Sequence, residues 1–403
     1  MMKKIFCVSF LVGFLFCVVS GVSVAADKPV KMIGSGVLSG KLGALPESGW
    51  GFIDAAYQVN ERGFVPGRKF EVILEDGQYD IPLCVSIFNR VTAAEPRDEL
   101  MFHSGWQTGA LHAIAEKVKE NHVVCVDGSM SPVIFTDEVQ TKYPYFFSCG
   151  VSYAEQTGAL IKFIRSKLHK GPDKPRLAFV YIESGVGREP IPAAKEYCKK
   201  FGVDLVLIEP VTFTQTDYTP TLMKIRRAKA DYAILWAWSI PVGTRFFKMA
   251  RKVLPKVQLL TQNYLAQEIL SHLIGESADG IYAFSPYPRP SEPKNPIVAK
   301  ALQMVKKEKR KLRMWDLYFQ SYLMALMNAE GAIQAAKAGN LTREGCRDAL
   351  ENLTDWDPFG MYEGLKFDYS NHTFPRGRIL KHVAANKSLV PVTEWVSIKE
   401  YLK

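Results

Sequence analysis

Five short segments rich in hydroxyl, glycine and aromatic residues each follow a run that reads as a strand. They are His103-Ser104-Gly105-Trp106-Gln107-Thr108-Gly109, Asp127-Gly128-Ser129-Met130-Ser131-Pro132, Glu183-Ser184-Gly185-Val186-Gly187, Trp236-Ala237-Trp238-Ser239 and Thr261-Gln262-Asn263-Tyr264. Backbone N–H groups at a helix start, with Ser and Thr hydroxyls nearby, suit a carboxylate. Exposed Trp and Tyr beside them suit an apolar or aromatic body. This is the chemistry of holding a small molecule. Patterns for making or breaking bonds are missing: no Walker loop, GxSxG elbow or HExxH occurs, and the seven His are scattered. The turn Gly34-Ser35-Gly36-Val37-Leu38-Ser39-Gly40 invites a dinucleotide reading, with Glu75 or Asp76 as ribose partner. That fingerprint runs directly into its helix, whereas here a segment containing Pro46 precedes a helix starting near Gly49.

The elements that must position these loops alternate in type. Val30–Ile33, Phe70–Leu74, Leu100–Phe102, Val123–Val126 and Tyr145–Ser148 read as strands, with helices over Trp50–Arg62, Ile81–Ala94 and Thr108–Asn121. A second round follows the helix Tyr153–Leu168. Its strands are Leu177–Ile182, Leu205–Ile208, Ala233–Trp236 and Leu259–Leu260, and its helices Ile191–Phe201, Leu222–Ala228, Thr244–Val253 and Gln267–Leu273. Strands alternating with helices imply parallel sheets covered on both faces. Beyond the Pro-rich connector Ser285–Pro290 comes a mostly helical stretch, Ile297 to about Leu353, with strong periodicity over Tyr318–Ala336 and Thr342 as a cap. The basic run Lys306–Arg313 reads as a solvated helix face. Gly364–Asp368 and Arg378–Ala384 read as a β-hairpin.

With 403 residues, 47% apolar and 23% charged, the chain can bury a real core and is long enough for two domains. The net charge of +10 is scattered rather than gathered into a stripe, so nucleic acid is set aside as a partner. Lys3 and Lys4 precede the apolar run Ile5–Val19 and the small residues Ser23-Val24-Ala25-Ala26, the pattern of a cleavable secretory signal over residues 1–26. Cys7 and Cys17 leave with it. Cys84, Cys125, Cys149, Cys198 and Cys346 remain, without CxxC or Cys/His metal spacing, and read mostly as buried small hydrophobes; one disulfide stays open.

The chain resembles the type I periplasmic binding proteins of branched-chain amino acid ABC transporters, the leucine/isoleucine/valine-binding family. The resemblance rests on Leu38-Ser39-Gly40, Gly49-Trp50-Gly51, Asn60-Glu61-Arg62-Gly63-Phe64-Val65-Pro66-Gly67, Glu75-Asp76 with Asp80 and Pro82, Asp217-Tyr218, and Ile274-Gly275-Glu276-Ser277-Ala278-Asp279-Gly280, in order along nearly the whole mature chain. It implies an α/β fold of two doubly wound parallel-sheet lobes joined by three crossovers, closing over a small ligand. Lobe 1 would take residues 27–150 plus about 286–370, and lobe 2 residues 151–285 plus about 371–403. Crossings would fall near Gly150–Tyr153, Ser285–Pro290 and residues 365–380.

By the same resemblance Gln107 or Thr108, with Ser129 and Ser131, would hold the ligand carboxylate. Met130, Val186, Trp238 and Asn263 stand where amino acid binders often present a threonine, two tyrosines and an acid that pairs with the ammonium. Trp50, Trp106, Tyr153 and Tyr264 complete the candidate set. Each has a plainer alternative: Trp106 and Trp238 as packing aromatics, Trp50 as a helix-start residue, Ser129 and Ser131 as turn and cap residues. With neutral Asn263, a plain amino acid would be held less well, unless a residue such as Glu183 moves in to pair with its ammonium. The expectation is a periplasmic, monomeric substrate-binding component of an ABC importer, not an enzyme. It would take no cofactor or metal, and its partners would be a small carboxylate, amino acid or amino-acid-like, and a membrane permease. The alternatives are an aromatic or branched organic acid as ligand, or a sensory receptor role.

Overall fold

Val30–Gly36 (β1) is apolar over most of its length, because it lies inside a sheet covered on both faces. In the computed structural model, which describes residues 28–40, 43–131, 142–362, 372 and 376–403, β1 runs parallel to Phe70–Asp76 (β2) on one side and Leu100–Ser104 (β3) on the other. Val124–Asp127 (β4) and Phe146–Ser148 (β5) complete a parallel sheet ordered β2-β1-β3-β4-β5. Every residue of β3, β4 and β5 is buried, as expected of strands packed on both faces.

The second sheet contains Arg176–Ile182 (β6), Asp204–Val211 (β7), Tyr232–Trp236 (β8), Gln258–Thr261 (β9) and Tyr282–Ser285 (β10), all parallel in the order β10-β9-β8-β6-β7. Arg376–Val383 (β11) and Ser388–Pro391 (β12) extend it antiparallel, and Val396–Ser397 (β13) pairs with the start of β11. The expected hairpin changes accordingly. Its first arm, Gly364–Asp368, lies outside the described residues. Its second arm is β11, whose two edges are taken by β10 and β12. The strands β10, β12 and β13 are too short for their pattern to stand out in sequence.

The α-helices among the described residues are Glu47–Glu61 (α1), Ile81–Ala94 (α2), Thr108–Asn121 (α3), Tyr153–Phe163 (α4, continued by a π-helical turn to Leu168), Gly185–Arg188 (α5), Ile191–Phe201 (α6), Thr219–Arg227 (α7), Ile240–Val253 (α8), Glu268–Ile274 (α9), Pro296–Lys307 (α10), Trp315–Lys337 (α11), Arg343–Glu351 (α12) and Ile398–Tyr401 (α13). Side chains fix several starts. Asp80 accepts from the Leu83 N–H at 2.9 Å, Ser152 and Glu155 form a reciprocal capping box, and Thr342 accepts from the Gly345 N–H at 3.0 Å.

The helical stretch after β10 packs back on the first sheet, with α11 laid along α1. A Cβ on Gly51 would sit 2.2 Å from the Tyr318 carbonyl oxygen, so this approach requires glycine. Beside it Asp54 accepts from Arg310 at 2.8 and 2.7 Å and from the Tyr318 hydroxyl at 2.7 Å. The reading of Lys306–Arg313 as a solvated helix face changes in part: Lys306, Lys307, Lys309, Lys311 and Arg313 are exposed, but the helix ends early and Arg310 is drawn inward. The helix stops at Lys307, Lys309 takes a left-handed turn, and Arg310 folds back onto buried Asp54 and lies over the Trp50 ring. The five cysteines among the described residues are free; Cys84 is half-buried and the other four are buried. The expected signal peptide lies outside the described residues, among which no helix is long and apolar enough to cross a membrane.

Candidate functional site

A cleft of about 400 Å3 lies between the two sheets and is walled by residues that follow strands of both. From the first side come Val37 after β1, Tyr79 after β2 and Trp106 after β3. The second contributes Val186 after β6, Phe213 after β7, Trp238 and Ser239 after β8, and Tyr264 after β9. Leu45 and Ser48 at the start of α1, Tyr153, Ile240, Pro241, Arg245, Met314 and Leu317 complete the wall. The carboxyl ends of strands in doubly wound sheets are where backbone and loops leave room for a ligand.

The loop after β1 is held by Asp76, which accepts from the Leu38 and Ser39 N–H groups at 2.9 and 3.2 Å and from the Ser39 hydroxyl at 2.5 Å. These bonds pull its carboxyl below the ordinary range against a burial effect that acts the other way. Asp76 is thus a loop anchor. Next to it the backbone turns left-handed at Gln78 and Tyr79 and carries the Tyr79 ring across to the second sheet. There it meets Trp238 at 5.1 Å between centroids, and Trp238 in turn meets Phe213 at 4.9 Å. Burial pushes the Tyr79 phenol well up, so it stays protonated.

Beneath the cleft the Thr108 and Ser129 hydroxyls lie 2.8 Å apart, and Tyr153 and Tyr264 are buried in the wall. The Tyr264 hydroxyl donates to the Gly128 carbonyl at 3.1 Å, crossing from one sheet to the other. Trp106 is nine-tenths buried, and its indole N–H has no hydrogen-bond partner.

The structure therefore brings Trp106, Tyr153, Val186, Trp238 and Tyr264 of the candidate set together on one wall. Gln107 and Thr108 line an adjoining cavity of about 510 Å3, which shares Tyr79, Val186, Phe213 and Trp238 with the cleft. Five candidates are elsewhere. Ser129 and Ser131 are fully buried, Ser129 against Thr108 and Ser131 3.3 Å from the His112 imidazole. Met130 is fully buried; Gln156 donates to its sulfur at 3.0 Å and its side chain fills the space over Gly150. Asn263 is fully buried behind the wall, donating to Asp316 at 3.4 Å. Trp50 packs under Arg310 and is not part of the wall. Glu183 is paired with Arg188. Tyr79, Phe213 and Arg245 are wall residues that the sequence reading did not name. Tyr79 and Phe213 also follow strand ends, which is the signal that could have found them.

Behind Asn263 lies an ion cluster. Fully buried Arg289 donates to Asp316 and, through Nε at 3.1 Å, to Glu268, joining α9 to the start of α11. Burial pushes the Asp316 carboxyl up, against the pull of Arg289. Among the described residues one group of metal-ligating types comes together, His103, Cys125 and Asp127, all buried beneath the loops after β3 and β4. Burial drives each toward its neutral form: His103 down to about 4, Asp127 up to about 8, and the Cys125 thiol well up. As it stands the group is a polar core cluster rather than a set of anionic ligands.

A family model described as periplasmic binding protein matches residues 34–381. The chain is similar to the Leu/Ile/Val-binding protein of Escherichia coli (strain K12), 21% identical over 362 residues that cover 89% of this chain and 94% of that one. Its fold is similar to that of a branched-chain amino acid ABC transporter protein from Thermus thermophilus with bound valine, at a TM-score of 0.79 and 22% identity, covering 92% and 97% of the two chains. It is also similar to an ABC transporter solute-binding protein of R. palustris in complex with 4-hydroxybenzoate, at a TM-score of 0.74 and 18% identity, covering 92% and 97%.

Proposed function

The chain belongs to the type I periplasmic binding proteins, the family of the Leu/Ile/Val-binding proteins, and from that premise we propose that it captures a small carboxylate in its cleft and presents it to the permease of an ABC importer. The observation that carries this reading is the cleft itself. It lies where the strand ends of both sheets meet, and its wall takes aromatic side chains from each. A ligand bound there touches both halves at once, so its contacts favour the closed arrangement over an open one. In this reading the two sheets with their helices act as lobes 1 and 2, divided as the sequence suggests.

The role is binding rather than turnover. The ionisable groups beneath the cleft, His103 and Asp127, are buried, and burial favours the neutral form of each. Export by a cleaved signal would place the chain in the periplasm as a monomer beside its permease. Relatives that bind valine and 4-hydroxybenzoate agree with a carboxylate as the common feature of the ligand. The test is to denature the purified exported chain and identify released small molecules by mass spectrometry. A carboxylate in amounts matching the protein is the expected result; a purified chain that releases nothing and binds no carboxylate on titration would overturn the reading.

A further inference from the structure

We propose that Arg245 is the anion-binding residue of the cleft and selects organic carboxylates that lack an ammonium group; this rests on the carboxylate-binding role argued above. Arg245 stands on α8, within two turns of the helix start, and is the one charged residue in the cleft wall among the described residues. It is half-buried. Its guanidinium donates to the Gln215 carbonyl at 3.1 Å, and no carboxylate pairs with it among the described residues. A guanidinium offers five N–H donors in a planar fork suited to a carboxylate. Most of that capacity is unused here. The start of α8 adds its partial positive charge on the same side, through the wall residues Ser239, Ile240 and Pro241.

Several hydroxyls that could otherwise take a carboxylate are already engaged. Thr108 and Ser129 bond each other, and Tyr264 donates to the Gly128 carbonyl. On the first-sheet side the Trp106 indole N–H, nine-tenths buried and without a partner, is a free donor. The remaining wall is apolar and aromatic, which suits a ring or a branched chain between Trp106 and Trp238.

An ammonium finds no anionic counterpart among the described residues of this wall. Of the carboxylates that line the adjoining cavity, Asp80 caps α2, and Glu189, whose Oε2 is buried without a hydrogen-bond partner, has its pKa raised by burial, which favours its neutral acid. An ammonium closed into the cleft beside Arg245 would meet a like charge, which disfavours it strongly in a low-dielectric site. Amino acids carry that group; their deaminated analogues do not.

Calorimetry on the purified mature chain tests this with 3-phenylpropanoate and 4-methylpentanoate, the amino acids phenylalanine and leucine, and the neutral amide 3-phenylpropanamide. The two acids are expected to bind at least tenfold tighter than the two amino acids, and 3-phenylpropanoate tighter than its amide. Arg245→Gln is expected to weaken the acids by roughly 10- to 100-fold while leaving the amide near its original affinity, and Arg245→Lys to recover part of the loss. A structural role for Arg245 would instead weaken acid and amide alike. Amino acids binding as tightly as the acids, or an acid-to-amide ratio unchanged in Arg245→Gln, would overturn the proposal and leave the carboxylate-binding reading standing. Failure of every carboxylate in the set to bind would overturn both.

Discussion

Trp238 is clasped between Tyr79 of the first side and Phe213 of the second, so a ligand that enters the cleft meets its ring with the geometry already fixed. Aromatic pairs contribute about 0.5–1.5 kcal/mol beyond the area they bury. Trp238→Ala is therefore expected to weaken ligand binding at least tenfold by calorimetry, and Trp106→Ala similarly; unchanged affinity in both folded variants would assign the two rings to packing. Asn263 calls for the opposite expectation. Its side chain bonds Asp316 behind the wall, so Asn263→Ala should lower the melting temperature while leaving the order of preference among ligands unchanged. A reordered preference would put it back at the site. At this scale the sequence was legible where cleft-lining residues follow strand ends, as at Trp106, Val186, Trp238 and Tyr264. It was not legible at Met130 and Asn263, whose types suit a ligand site but whose burial is set by distant partners, Gly150 and Asp316. Arg245 was missed because its meaning lies in what is absent around it, a carboxylate partner.

The parallel strands and their helices follow directly from apolar runs alternating with 3.6-residue periodicity, and α2, α3 and α6 fall where the pattern puts them. The element after Lys307 does not. Whether Arg310 is solvated or paired depends on Asp54, 256 residues earlier, and no local pattern carries that information. The same holds for β11, whose partners on both edges are set by the sheet it joins. Two consequences belong to these elements. Removing one member of a buried ion cluster leaves the others uncompensated, at a cost of about 3–5 kcal/mol, so Asp316→Ala should lower the unfolding midpoint in urea markedly, by strengthening the charge imbalance around Arg289 between α9 and α11. An unchanged midpoint would contradict the cluster's structural role.

Asp127, at the end of β4, gives the second consequence. Burial lifts its carboxyl from an ordinary 3.8 to about 8, so the folded chain keeps a proton that the unfolded chain has released. Its contribution is complete below about pH 4 and is lost as the pH rises through 8. Stability should therefore fall across this window. Asp127→Asn, which keeps an acceptor for the Ser129 N–H without the charge, should flatten the fall in melting temperature between pH 6 and 8.5. The same slope in both proteins would show that another group controls it.

For the whole molecule, the two halves meet through specific contacts. They include the Tyr79–Trp238 pair, the Tyr264 bond to Gly128 and the Arg289–Asp316 cluster that joins α9 to α11. A ligand between the halves adds contacts to both and so favours the closed arrangement. The central claim is that the chain closes on a carboxylate held by both sides. Small-angle X-ray scattering tests it most directly, with the purified chain stripped of ligand and then saturated with the carboxylate that denaturation releases. The account predicts a smaller radius of gyration in the saturated state; an identical radius in both states, with saturation verified by calorimetry, would contradict it.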